Sequence, residues 1–145
     1  LAVRHYELTV PGTPEIKARP RVTKHGTFTP RKTIAAEKRI AAVFLKKYPV
    51  TTLITGPVEM IVDFWMADYA RKDVDNLGKL VMDALNQIAY QDDSQVVAIL
   101  ARKHLHDLLM PGKHGPRRYK SGDPLTFKGE PYDPHTTIQI LEVEQ

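Results

Sequence analysis

Residues 71–96 read RKDVDNLGKLVMDALNQIAYQDDSQV, a stretch that holds five aspartates (Asp73, Asp75, Asp83, Asp92, Asp93) and no glutamate in a chain of net charge +4. Its apolar residues Leu77, Leu80, Val81, Ala84, Leu85 and Ile88 recur at helical spacing, with Asn76, Lys79, Asp83, Asn86 and Gln87 on the opposite face. An amphipathic helix is predicted, lying with one side on a core and the other in water. The acids then sit before the helix, on its wet face, and after it, where Gln95 to Leu105 turns Val- and Ile-rich and reads as a strand.

Working outward, residues 57–66 form a strongly apolar strand and residues 5–10 an alternating one, ended by PGTP. KARPRVTKHGTFTP, residues 17–30, reads as an irregular hairpin turning at His25-Gly26, and Thr33 to Tyr48 as a first helix stopped by Pro49. Thr136 to Val143 is a last alternating strand. The Pro-, Gly- and Lys-rich stretch from His106 to His135 shows no periodicity and reads as a long basic loop. This order of elements predicts one α+β domain over residues 1–145, a two-layer sandwich in which two main helices cover a mixed sheet. A chain of 145 residues with 42% hydrophobic content can bury one such core. No apolar run approaches the roughly 20 residues needed to cross a bilayer, and no export signal is visible, so a cytoplasmic protein without membrane contact is expected.

Charge is uneven. Between Lys17 and Lys47 there are ten Lys or Arg against one acid, Glu37, and a second basic region runs from Arg102 to Lys128. Either segment suits a polyanion or an ordinary solvated face. The chain has no cysteine, so a bound metal must take carboxylate, imidazole or carbonyl ligands, and a hard cation is the natural guest.

Asp73 and Asp75 are two residues apart, a spacing that in extended backbone turns both carboxylates to one side. Asp75 is also placed to cap the helix, and both duties stand open for it. Lys79, one turn on, either pairs with Asp83 or stabilises charge on a reacting phosphate, and Asp83 reads as its partner. Asp92 and Asp93 suit a turn. If the strand from Gln95 lies beside the one ending near Met66, its start returns near Asp73 and Asp75, and three carboxylates surround one point, as Mg²⁺ chemistry on phosphodiesters requires. His104 and His106 form H-x-H without a third soft ligand, which argues against a transition-metal site. His25 and His114 are expected near phosphate or solvent, and Tyr6, Phe28, Phe64, Trp65 and Tyr69 as core or dimer contacts.

RKDVDNLGKLVMDALNQIAYQDDSQVV, residues 71–97, resembles the signature of the RusA-like Holliday junction resolvase family, in which D-[LV]-D-N-x-x-K opens a helix and D-A-L and D-D-x-Q-[VI] follow. Residues 17–30 are similar to the basic N-terminal segment of many members. The resemblance implies an acidic triad at Asp73, Asp75 and Asp93, a functional lysine at Lys79, dependence on Mg²⁺ or Mn²⁺, and a homodimer that places paired nicks across a four-way DNA junction. It alone selects Asp93 over Asp92. Lys17, Arg19, Arg21, Arg31, Lys32, Arg71 and Lys72 are predicted to grip the phosphate backbone. The rivals are a non-catalytic DNA junction-binding module and a less selective metal-dependent nuclease.

Overall fold

The computed structural model describes residues 3–144. Along the chain it runs β1 (His5–Pro11), β2 (Arg21–Thr23), β3 (Gly26–Phe28), α1 (Arg31–Lys47), β4 (Val58–Trp65), α2 (Val74–Leu85), β5 (Val96–His104), β6 (Leu109–Met110), β7 (Arg117–Arg118), β8 (Thr126–Phe127), β9 (Glu130–Pro131) and β10 (His135–Glu142). The main sheet has strand order β1-β10-β4-β5, antiparallel except for the parallel pair β4 and β5. Strand alternation sends Tyr6, Leu8 and Val10 of β1, Ile138 and Ile140 of β10, and Val58, Met60, Val62 and Phe64 of β4 to one face, all buried. Both helices lie there, α1 contributing Ala36, Ile40 and Phe44, and α2 Leu77, Leu80, Val81, Ala84 and Leu85. The expected two-layer α+β sandwich with a mixed sheet is the observed architecture.

The α1 anchor is Phe44, fully buried with its ring edge-on to Tyr6 at 5.2 Å between centroids. Tyr90 plugs the far end of α2: it too is fully buried, and its hydroxyl donates to the Met82 carbonyl at 2.6 Å. Burial pushes the Tyr90 phenol far above its ordinary range.

Parallel strands cannot be joined by a tight turn, so the chain leaves the end of β4, crosses through α2 and starts β5 beside the start of β4. Val58 pairs with Val96 and Trp65 with His104. The N-terminus of α2 therefore lies at the C-terminal ends of β4 and β5, where the Lys103 ammonium donates to the Lys72 carbonyl at 2.9 Å. The C-terminus of α2 lies at the opposite end. There a 3₁₀ turn, Asp93–Gln95, leads into β5, and the Gln95 side-chain amide fastens it to the carbonyls of Ile54 and Gly56 at 2.8 Å each.

Several boundaries differ from the expectation. α1 starts at Arg31, directly after Pro30, and α2 starts at Val74 and ends at Leu85, with Gln87 at a positive φ of 65° closing the turn that follows. The stretch from His106 to His135 is not a bare loop. It folds into two short hairpins, β6 with β7 and β8 with β9. Two aspartates hold them: Asp107 accepts the N–H groups of Lys128 and Gly129 (2.9 Å each) and the Thr126 hydroxyl (2.7 Å), and Asp123 accepts two bonds from Arg117 (2.8 and 2.9 Å) and the N–H of Lys120 (2.9 Å).

Two outcomes follow. Phe44→Ala is expected to cost about 3–5 kcal/mol, read from urea unfolding as a lower midpoint at unchanged slope. The Arg117 bonds pull the Asp123 carboxyl down to about 2. Because that lies below the ordinary value of about 3.9, the support it gives is complete above that value and is lost as pH falls through about 2. Amide protection in residues 107–131 is therefore expected to fall over that acid window, and Asp123→Ala to lose protection already at neutral pH.

Candidate active site

The exposed face of α2 carries Asp75, Lys79 and Asp83 at four-residue intervals, and the acids at its start are not spent on capping. Asp73 occupies the N-cap position but makes no side-chain cap hydrogen bond, and its side chain is 57% exposed with Arg71 at 4.0 Å. Asp75, for which capping and metal binding both stood open, sits in the first turn, exposed, with one carboxylate oxygen accepting the Asn76 N–H at 3.0 Å. The partial positive charge of the helix N-terminus favours two carboxylates there.

Two turns further on, Asp83 joins several groups. Its side chain is only 18% exposed, and it receives the Lys17 ammonium at 3.1 Å and the Lys79 ammonium at 3.4 Å. Lys17 bridges on to Glu37 of α1 at 2.8 Å. Asp93 approaches the same point from the 3₁₀ turn, near enough to the Asp83 carboxyl for each to shift the other's titration. Burial raises Asp83, but Lys17, Asp93 and Lys79 outweigh it and hold the group below its ordinary range. Burial and the Asp83 charge raise Asp93. The negative charge of Asp83 thus disfavours the ionised form of its neighbour, while the two lysines favour that of Asp83 itself.

Asp92, beside it, takes a different duty. Its backbone N–H donates to Gln95 Oε1 at 2.8 Å and its carboxylate accepts the Ser94 hydroxyl, which commits it to the turn. The turn geometry thus separates the two neighbours that the chain spacing left equivalent.

The expected meeting of Asp73, Asp75 and Asp93 around one point is not formed. Asp75 and Asp83 stand about 12 Å apart along the helix axis, at 1.5 Å per residue. Among the described residues no group of three or more His, Asp or Glu side chains is gathered closely enough to hold a metal ion. The reason is the parallel pairing of β4 and β5, which brings the chain back beside the start of β4, while Asp73 and Asp75 follow its end. The donors on this face are nonetheless all carboxylate oxygens, a set that suits a hard cation holding one or two carboxylates and completing its shell with water and substrate phosphate.

Of the residues predicted to grip phosphate, Arg19, Arg21, Arg31, Lys32 and Arg71 are exposed. Lys17 and Lys72 are placed otherwise. Lys17 is held by Glu37 and Asp83, and Lys72, 15% exposed, donates to the Pro14 carbonyl at 2.7 Å and faces Glu15 at 3.6 Å. His104 and His106 do not chelate together: His104 Nε2 lies 2.7 Å from Asp63, and His106 is buried with Nδ1 2.8 Å from the Asp107 carbonyl. Among the described residues no helix is long and apolar enough to cross a membrane.

Two comparisons with known proteins bear on the family. The protein YqaN of Bacillus subtilis (strain 168), itself uncharacterised, is 31% identical over 121 residues, covering 67% of this chain and 85% of that protein. Residues 11–111 match the family described as Endodeoxyribonuclease RusA, a stretch that includes α1, β4, α2, the acids at both ends of α2, and β5. The chain therefore belongs to the RusA endodeoxyribonuclease family.

Proposed function

We propose that the protein is a divalent-metal-dependent endonuclease that resolves four-way DNA junctions by paired symmetric nicks. The observation that carries the reading is the line of carboxylates at the start and along the wet face of α2, Asp73, Asp75 and Asp83, with Lys79 among them. Gathering carboxylates on one face costs stability, and a surface that only bound DNA would gain nothing from concentrated negative charge beside phosphate.

Asp73 and Asp75, at the start of α2, are the carboxylates that would hold Mg²⁺ or Mn²⁺, with water and substrate phosphate completing the shell; Asp93, also expected as a ligand, lies toward the other end of the helix. A bound cation of this kind supplies Lewis acidity toward a phosphodiester oxygen. The chain's own groups do the rest. Lys79, 54% exposed at the middle of the face, donates to a non-bridging phosphate oxygen and stabilises the charge that builds up there. Asp83 holds the Lys79 ammonium on that face. Lys17 keeps Asp83 ionised and ties it to α1 through Glu37.

Arg19, Arg21, Arg31, Lys32 and Arg71 grip the backbone of the junction arms, and Lys17 and Lys72 brace the site. Homodimerisation fits the substrate, since two identical sites meet two equivalent strands of a two-fold junction. β5 is available for such pairing: it is an edge strand and exposes Val97, Ile99 and Leu100.

The separation of Asp73 and Asp75 from Asp93 favours a second reading, a junction-binding module without cleavage. A labelled synthetic four-way junction tests both, using wild type, Asp75→Asn and Lys79→Ala with Mg²⁺ and with chelator. Wild type is expected to nick symmetrically and only with metal. Asp75→Asn is expected to lose cleavage while keeping junction affinity, and Lys79→Ala to slow it about 10²–10³-fold, the cost of one donor to developing charge. Tight junction binding without nicking in any divalent metal would support the binding module instead.

A further inference from the structure

A second site stands on the sheet face turned away from the helices, at the same end of β4 as Asp73 and Asp75. Trp65 closes β4, and its cross-strand neighbours on both sides are histidines. His104 stacks on the indole at 4.1 Å and 14°, and His135 at 5.5 Å and 10°. Asp63, on the same face, fixes His104 at 2.7 Å and takes two bonds from Arg102 at 2.7 and 3.0 Å. Phe127 stands edge-on to Trp65 at 5.2 Å, and Tyr132 tilts toward it at 5.4 Å while its hydroxyl donates to the Met66 carbonyl.

Trp65, Phe127, Tyr132 and His135, together with Lys128, Glu130 and Pro131, line a recess of about 360 Å³. That is near the lower end of the range of small-ligand sites, about 300–1,000 Å³. Aromatic rings gathered for stability alone belong in a core, yet the core lies on the other face and Trp65, Phe127, Tyr132 and His135 all remain partly exposed. The surrounding segment is basic on balance. Residues 102–135 hold seven Lys or Arg against four acids; Asp107 and Asp123 are consumed by the hairpins they anchor, and Glu130 lines the recess beside Lys128. Lys113, Arg118, Lys120 and Lys128 make no ion pair among the described residues, and the Lys128 ammonium lies 5.5 Å from the Phe127 ring centroid. Phe127, Tyr132 and His135 fall beyond the stretch matched to the family, which ends at residue 111.

A ring-lined recess in a segment of net positive charge, with Lys128 at its edge, fits a planar π system carried on a polyanion. We propose that it takes one unstacked base of the DNA substrate, next to the end of α2 where the acids begin. This inference rests on the nuclease reading for the identity of the polyanion, and its test separates the two.

Trp65 is the chain's single tryptophan, so its emission reports on the recess directly. Wild type is titrated at one salt concentration with a short oligothymidylate, with the four-way junction, and with an abasic strand of equal length. The oligothymidylate and the junction are expected to quench Trp65, and the abasic strand to leave it unchanged. Phe127→Ala is expected to weaken oligothymidylate binding about tenfold, the loss of one base–aromatic stack, without changing affinity for the abasic strand. Three results would each overturn the proposal: a silent Trp65, equal quenching by the abasic strand, or emission that changes with protein concentration alone because a second copy covers the recess. Nicking is followed on the same samples. Base-dependent quenching without nicking in any metal leaves the recess standing and removes the nuclease reading, whereas nicking with a silent Trp65 does the reverse.

Discussion

The parallel pairing of β4 with β5 sets the position of nearly every charged group discussed above. Two parallel neighbours need a crossover, and the crossover is α2, whose apolar stripe covers the sheet and whose other face is left to water. Because the helix runs against both strands, its N-terminus and the aspartates before it lie at the C-terminal ends of β4 and β5, the end at which open α/β sheets commonly bind ligands. The same constraint carries Asp93 to the other end of α2. There it approaches Asp83, and the acids are strung along one helix face with Lys79 between them.

That arrangement explains how a basic chain stabilises concentrated acids. Helix polarity supports Asp73 and Asp75, while Lys17 and Lys79 offset the charge of Asp83. Lys17 is the joint between layers, since one ammonium meets Glu37 on α1 and Asp83 on α2. Arg19, Arg21 and Arg31, exposed and without an ion pair among the described residues, remain free to meet phosphate. In this account cations near the acids have two trades: some brace the carboxylates, and others attract the substrate.

Much of this was legible in the residues, and the reasons differ from part to part. The apolar stripe from Leu77 to Leu85 and the alternation in β1, β4 and β10 announced a helix and strands because burial on one face imposes those periods. The turn at His25-Gly26 was visible because a tight turn favours glycine, and Gly26 has a φ of 116°. The direction of β5 relative to β4 was not legible, since strand composition does not encode which way a neighbour runs, and the convergence expected for Asp73, Asp75 and Asp93 failed on that point. The hairpins between His106 and His135 were hidden for another reason: Asp107 reaches forward to Thr126, Lys128 and Gly129, bonds that leave no periodic trace. The spacing of Lys79 and Asp83 did announce their pairing, but nothing local linked either of them to Lys17.

The most direct test of the central claim, that the acids at the start of α2 hold a divalent cation beside Lys79, is paramagnetic broadening of backbone amide resonances by substoichiometric Mn²⁺. Amides around Asp73, Asp75 and Lys79 are expected to broaden first and to recover on adding excess Mg²⁺. Broadening confined to other exposed acids, such as Glu130 or Asp68, with the α2 face sharp throughout, would contradict it.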